Sequence, residues 1–208
     1  MLEQVETTTF EGPTLRLVNQ VSHMEKLRDL GLDPRQIEEM IELLRDRGFT
    51  DDPSDVIEGP FANKSLYKTD QTRFSDGTLR VFYSALEAET VEREIRYWYL
   101  KPLLQGNVPT RAYYRLARVR FAGDVKDLRP KVEEWPFLVA ENGYDACNQL
   151  GEEAVESGLA ALMSRSARRP DGTTLPVFSK NSLSQVELQG YRVFSYDPEN
   201  GEVTVSAA

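Results

Sequence analysis

The sequence predicts an α+β fold, and three observations lead to it. Helical and strand-like segments are mixed along the chain, and the strands are short and mostly non-adjacent, which is not the pattern of a regular parallel sheet. Neither familiar glycine-rich phosphate loop is present, which disfavours a dinucleotide-binding Rossmann unit and a P-loop. The chain has 208 residues, 40 % of them hydrophobic, enough for one substantial core. One domain over residues 1–208 is expected, with a helical elaboration at about 15–60 and the main core at about 61–208.

The N-terminal third reads as a helical pair. In "SHMEKLRDLG" Ser22 and Glu25 form a capping box and Gly31 ends the helix. In "DPRQIEEMIELLRDRG" Asp33 is the N-cap, Pro34 takes the first helical position and Gly48 is the stop, with Ile37, Met40, Ile41 and Leu44 on one apolar face. "TDDPSDVIEGP" reads as a polar, turn-rich segment, and "DGTLRVFYSAL" as a turn into a strand. A helix then starts near Glu89, with Val91, Ile95 and Trp98 as its apolar stripe. "YYRLARVRF" alternates Ala117, Val119 and Phe121 with basic residues, as a half-exposed strand does. "DACNQLGEEAVES" is a helix ended by Gly158, "LAALMSRSA" a strand leading to the loop "RRPDG", and the tail "TLPVFS", "VELQGYRVFSYD" and "GEVTVS" is strand-rich around a "PENG" turn.

Composition narrows the function. A net charge of -9 with no long basic stripe argues against direct nucleic-acid binding, while leaving room for an anionic small ligand where a few arginines converge. The N-terminus has neither a basic region nor an apolar core, and no apolar run is long enough to cross a bilayer, so a cytoplasmic protein without a membrane partner is expected. One cysteine, Cys147, excludes an internal disulfide, and one histidine, His23, leaves no metal-binding cluster. Cys147 reads as a small buried core residue. Catalysis would then rest on Glu, Arg, Ser and Tyr.

Four glutamates sit in "RVFYSALEAETVEREI". Glu89 precedes Arg93 by four residues and Glu92 precedes Arg96 by four, the spacing of solvated helix pairs. Glu87 is open to either reading. Glu94 differs, because its neighbours three and four residues on are Tyr97 and Trp98, which put it at the margin of the apolar stripe without a local cation. Arg16 in "TLRLVNQ", Arg73 in "TRFSDG", Tyr83 in "VFYSA", and Ser166 with Arg168 in "SRSARRPDG" complete a set of polar residues at the ends of apolar segments.

In order and spacing, "LRLVNQ", "PF" followed by "TRFSDG", "VFYSALEAETVEREI" and "GLAALMSRSARRPDGTTLPVF" resemble the RES-domain family, named for an Arg, a Glu and a Ser. The resemblance runs from about Leu15 to about Phe194. It implies an ADP-ribosyltransferase-like fold with a mixed or antiparallel sheet and flanking helices, and an activity on NAD as substrate; the lone histidine and cysteine imply no metal. It also implies a toxin of a bacterial toxin–antitoxin module, held by a cognate antitoxin with an Xre-like DNA-binding part. A homo-oligomer is compatible with this. The chain departs from the family's pattern at Ala62 after Phe61, Thr72 before Arg73 and Leu17 after Arg16.

Breaking the nicotinamide–ribose bond develops oxocarbenium character on the sugar, and a carboxylate against the ribose stabilises it. Glu94 is assigned that role. Arg16 and Arg73 are the phosphate or ribose holders, since a guanidinium fork suits pyrophosphate. Tyr83 stacks on nicotinamide or donates its hydroxyl, and Ser166, with Arg168 beside it, hydrogen-bonds the substrate. Hydrolysis or phosphorolysis of NAD leads the expectations. Transfer of ADP-ribose to a protein is the enzymatic alternative, and a catalytically silent module bound to an Xre-like regulator is the non-enzymatic one.

Overall fold

A computed structural model of the protein describes residues 1–19, 32–46, 53–62, 71–106 and 109–207. Its strands are β1 (Thr7–Asn19), β2 (Phe82–Ala85), β3 (Thr110–Asp127), β4 (Ala161–Arg165), β5 (Thr173–Val177), β6 (Leu183–Asp197) and β7 (Glu202–Ala207). The α-helices among the described residues are α1 (Pro34–Asp46), α2 (Pro53–Phe61), α3 (Ala88–Gly106) and α4 (Asp145–Glu156). This is the expected α+β class.

The sheet runs β1-β2-β5-β4-β3-β6-β7, and β1 also pairs with β3. That extra pairing closes β1, β2, β5, β4 and β3 into a ring, from which β6 and β7 extend. Among the described strands only β3 and β4 pair in parallel; the other neighbours are antiparallel. β3 makes the ring by offering one edge to β1 over its whole length and sharing the other between β6 and β4. Its alternation is as expected, with Ala117, Val119 and Phe121 fully buried while Arg118 and Arg120 point out.

Three apolar clusters hold the layers together. Phe82, Val119, Phe121, Leu175 and Val177 form the first, covered by Val56, Ile57 and Phe61 of α2. Beneath α4 a second unites Cys147 and Leu150 with Phe74, Leu128, Leu138 and Leu162. The third sets Val91 and Ile95 of α3 against Leu17, Ala85, Leu116 and Phe194. Each such side chain fully buried contributes about 1.5–3 kcal/mol. Among the described residues no helix is long and apolar enough to cross a membrane.

The helix at Asp33 begins as expected: Gln36 N donates to Asp33 Oδ1 at 2.9 Å, and Asp33 N donates back to Gln36 Oε1 at 3.0 Å. Ile37 is buried and Met40 half-buried; the side chains of Ile41 and Leu44, the first helix of the expected pair with His23, and Gly48 lie outside the described residues. Gly158 ends α4 with φ at +70°, a conformation open to glycine at little cost.

Four features differ from the sequence expectations. β1, thirteen residues long, replaces what reads as the approach to a helical region; Gly12 and Pro13 interrupt its pattern, yet full-length pairing with β3 holds it. The segment read as turn-rich contains α2, because burial of Val56 and packing of Ile57 and Phe61 outweigh the weak helical signal of its Gly-Pro step. Trp98, placed in the apolar stripe of α3, is 40 % exposed, whereas Val91 is buried and Ile95 partly buried in the third cluster. Glu92 pairs with Arg192 of β6 at 2.5 Å, a partner a hundred residues away, and not with Arg96. Glu89 and Arg93 do form their helix pair, at 3.0 Å.

Candidate active site

Helix α3 starts at Ala88, directly after β2, so its first turns lie along the sheet end from which the β4–β5 loop emerges. Glu87, Thr90, Glu94 and Tyr97 recur at intervals of three and four and therefore share one helix face. All four touch the loop or the first residue of β5. Glu87 Oε2 accepts from Thr173 N at 3.0 Å, Thr90 Oγ1 from Arg169 at 3.1 Å, and Glu94 Oε1 from Ser166 Oγ at 2.6 Å. The guanidinium carbon of Arg168 stands 3.4 Å from the Tyr97 ring centre.

Ser166 is 2 % exposed and its hydroxyl is fully used. Its oxygen accepts from the backbone N–H groups of Arg168 and Arg169 at 3.1 and 3.0 Å, which occupies both lone pairs. The single proton is thereby directed at Glu94. Glu94, half-buried, keeps Oε2 without a partner among the described residues. The structure thus brings three of the expected residues together as Glu94, Ser166 and Arg168, with the Ser166 hydroxyl given to Glu94 and not left over for a ligand.

Arg16, Tyr83 and Arg73 form a second group. Arg16 Nη1 donates to the Tyr83 carbonyl at 2.9 Å, and its guanidinium lies 4.9 Å from the Phe82 ring centre. Burial lowers its pKa to about 10, so it is still charged at neutral pH. Tyr83 Oη shares a 2.6 Å hydrogen bond with Thr72 Oγ1 and accepts from Phe74 N at 3.2 Å. Burial raises the phenol's pKa against these hydrogen bonds and the charge of Arg73. Arg73 itself donates to the carbonyls of Leu138 and Ala140 at 3.0 and 2.9 Å and stacks over Tyr144. Its fork is committed to the chain. Cys147 lies in the core beside it, as expected, with its thiol pKa raised by burial.

Among the described residues, the buried side-chain nitrogens and oxygens without a hydrogen-bond partner are two, Arg16 Nε and Arg168 Nε. Leaving such a donor unsatisfied costs about 1–3 kcal/mol. Both belong to arginines expected to bind substrate. Arg168 is further tethered by Glu141 at 3.6 Å, and its side chain is 10 % exposed.

Sequence reasoning missed Thr90, Tyr97 and Arg169 as members of the site, and Asn148, whose buried amide donates to the carbonyls of Thr72 and Arg73 at 2.7 and 2.9 Å. The helical spacing from Glu94 back to Thr90 and Glu87 is the signal that identifies the first of them. Glu87 proves to be structural, accepting from Thr90 Oγ1 at 2.7 Å as well as from Thr173.

No curated protein matches the chain. Its fold is similar to a chain in the crystal structure of the M. tuberculosis MbcT–MbcA toxin–antitoxin complex, at 14 % identity and a TM-score of 0.50, over 94 % of this chain and 89 % of that one. The RES domain description matches residues 49–197, a span that includes Arg73, Tyr83, Glu94, Ser166 and Arg168. With most of its length so matched, the chain belongs to the RES domain family.

Proposed function

We propose that the protein is the toxin of a toxin–antitoxin pair and consumes NAD by breaking the bond between nicotinamide and ribose, with water or inorganic phosphate as acceptor. The observation that carries this reading is the 2.6 Å bond from Ser166 to Glu94, which fixes one carboxylate oxygen and leaves the other without a partner among the described residues. In the reaction the electron pair of the C–N bond departs with nicotinamide, the acceptor oxygen bonds to the ribose carbon, and the acceptor gives up its proton. Positive charge gathers on the ribose as the bond stretches. A carboxylate already oriented stabilises that charge without reorganising, which is the source of its catalytic advantage.

Arg16 and Arg168 supply cations for the pyrophosphate, and Tyr83 touches Arg16 through its carbonyl and the Arg73 turn through its hydroxyl. Arg73 serves this reading as a clasp that holds the turn carrying Leu138 and Ala140, because both terminal nitrogens are already engaged. Membership of the RES domain family, and likeness to a fold from a toxin–antitoxin complex, support an antitoxin as partner.

The test is NAD loss and product identity for the purified protein, with and without phosphate, beside Glu94→Ala. Expected is loss in the parent, about a hundredfold or more slower in the variant, yielding free ADP-ribose or its phosphorylated form together with nicotinamide. No loss and no NAD binding in either buffer overturns the proposal.

A further inference from the structure

The β4–β5 loop bears Ser166 and must lie in one register on α3 for the hydroxyl to meet Glu94. Thr90 sits at the centre of that contact and is fully buried. Its hydroxyl donates to Glu87 Oε2 at 2.7 Å and accepts from Arg169 Nη1 at 3.1 Å. On the loop, Gly172 comes so close that a Cβ added there would stand 2.3 Å from Thr90 Oγ1 and 3.0 Å from its Cγ2. Gly172 has no left-handed φ, so the objection to a side chain is steric alone. Its carbonyl accepts from Ser166 N at 2.9 Å, and its own N–H donates to the Arg169 carbonyl at 2.9 Å. Thr90, Gly172, Arg169 and Ser166 are thus linked by direct contacts.

Arg169 adds charge to the joint. It is 3.0 Å from Asp171 and 3.4 Å from Glu89, tying loop and helix through one guanidinium that is largely buried. Thr90 has no open path to a ligand, and its hydroxyl is used on both sides.

We infer that Thr90 is a positioning residue: by close packing against Gly172 and its bond with Arg169, it sets the register of the β4–β5 loop on α3 and so holds Ser166 against Glu94. The inference rests on the proposed reading for its catalytic consequence, and on the loop geometry alone for its structural one.

The experiment compares the parent with Gly172→Ala, Thr90→Ala/Gly172→Ala and Thr90→Ser/Gly172→Ala. Amide hydrogen exchange at Ser166 and Arg168 and NAD turnover are both read. Gly172→Ala should exchange about tenfold faster at these amides and lose about tenfold or more in kcat, with KM for NAD changed by less than about twofold. Thr90→Ala removes the two nearest atoms and should restore the part of each loss that the clash causes, leaving the part due to the missing bond with Arg169, whereas Thr90→Ser retains Oγ1 and should restore none. Should Gly172→Ala fold poorly, Thr90→Val keeps the shape, removes the acceptor for Arg169, and should speed exchange at the same amides while melting as a folded protein. Parent-like exchange and kcat in the folded Gly172→Ala or, where that variant is unfolded, parent-like exchange in Thr90→Val, overturns the inference, as does a Thr90→Ala/Gly172→Ala protein no better than Gly172→Ala. If the parent itself consumes no NAD, the enzymatic reading fails, and exchange alone decides the fate of the lock.

Discussion

A single hydroxyl organises the candidate site. Ser166 receives two backbone N–H groups and has only Glu94 to donate to, so its replacement removes a charge-assisted bond and strands two loop amides at once. Hydrogen bonds to charged groups contribute about 1.5–3 kcal/mol, so Ser166→Ala is expected to slow NAD cleavage by about ten- to hundredfold. A kcat measurement on a variant with parent-like circular dichroism checks it. At this scale the meeting of two candidate residues was partly legible: Glu94 stood apart from Glu89 for want of a local cation, and Ser166 stood beside a strand end. What was not legible was how the donors are shared. Arg73 looks as free as Arg16 in the sequence, and only the turn folded around Leu138 and Ala140 consumes its fork.

Elements are placed by contacts that leave no mark on hydropathy. Helix α4 approaches the segment before β2 so closely that a Cβ on Gly151 would stand 2.2 Å from the Phe74 carbonyl oxygen. Backbone cannot yield as a side chain does. Gly151→Ala is therefore expected to cost about 1–3 kcal/mol or more, read as a lower urea midpoint at an unchanged slope. Asn148, on the same helix, satisfies the Thr72 and Arg73 carbonyls, yet its sequence context is that of any polar helix residue. The strongly patterned elements, α1, β3 and α4, were legible because burial of one face dictates their spacing. β1 and α2 were not, because their order comes from partners distant in the chain. Thr90 and Gly172 were obscured for the same reason, one reading as a helix residue and the other as an ordinary loop glycine.

Across the whole molecule, carboxylates outnumber cations, and their pairing sets the response to acid. Burial alone would raise the Asp127 pKa, but the hydrogen bonds and charge of Arg129 outweigh it and hold the carboxyl below its ordinary value. Glu153 is lowered chiefly by the backbone N–H of Leu2, with the N-terminal ammonium adding to it. A carboxyl depressed in the folded state stabilises it above the unfolded value and loses that contribution as pH falls through the folded one. Stability should accordingly fall below about pH 4, the ordinary carboxylate range. Asp127→Asn should lose less unfolding free energy between neutral and acid pH than the parent does, as measured by urea titration at each pH. Equal losses would mean that this pair carries none of the acid sensitivity.

The shared strand β3 also sets a schedule. Thr7 of β1 pairs with Lys126, about 120 residues later, so the first strand made must wait for the third before it has a partner on that edge. At roughly 5–20 residues per second of synthesis, that wait is on the order of ten seconds. The loop bearing Ser166 emerges later still. A growing chain on the ribosome therefore carries Glu94 without its partner, and on the proposed reading it cannot consume NAD until that loop has been made and has folded, leaving an interval in which a neutralising protein can already be waiting.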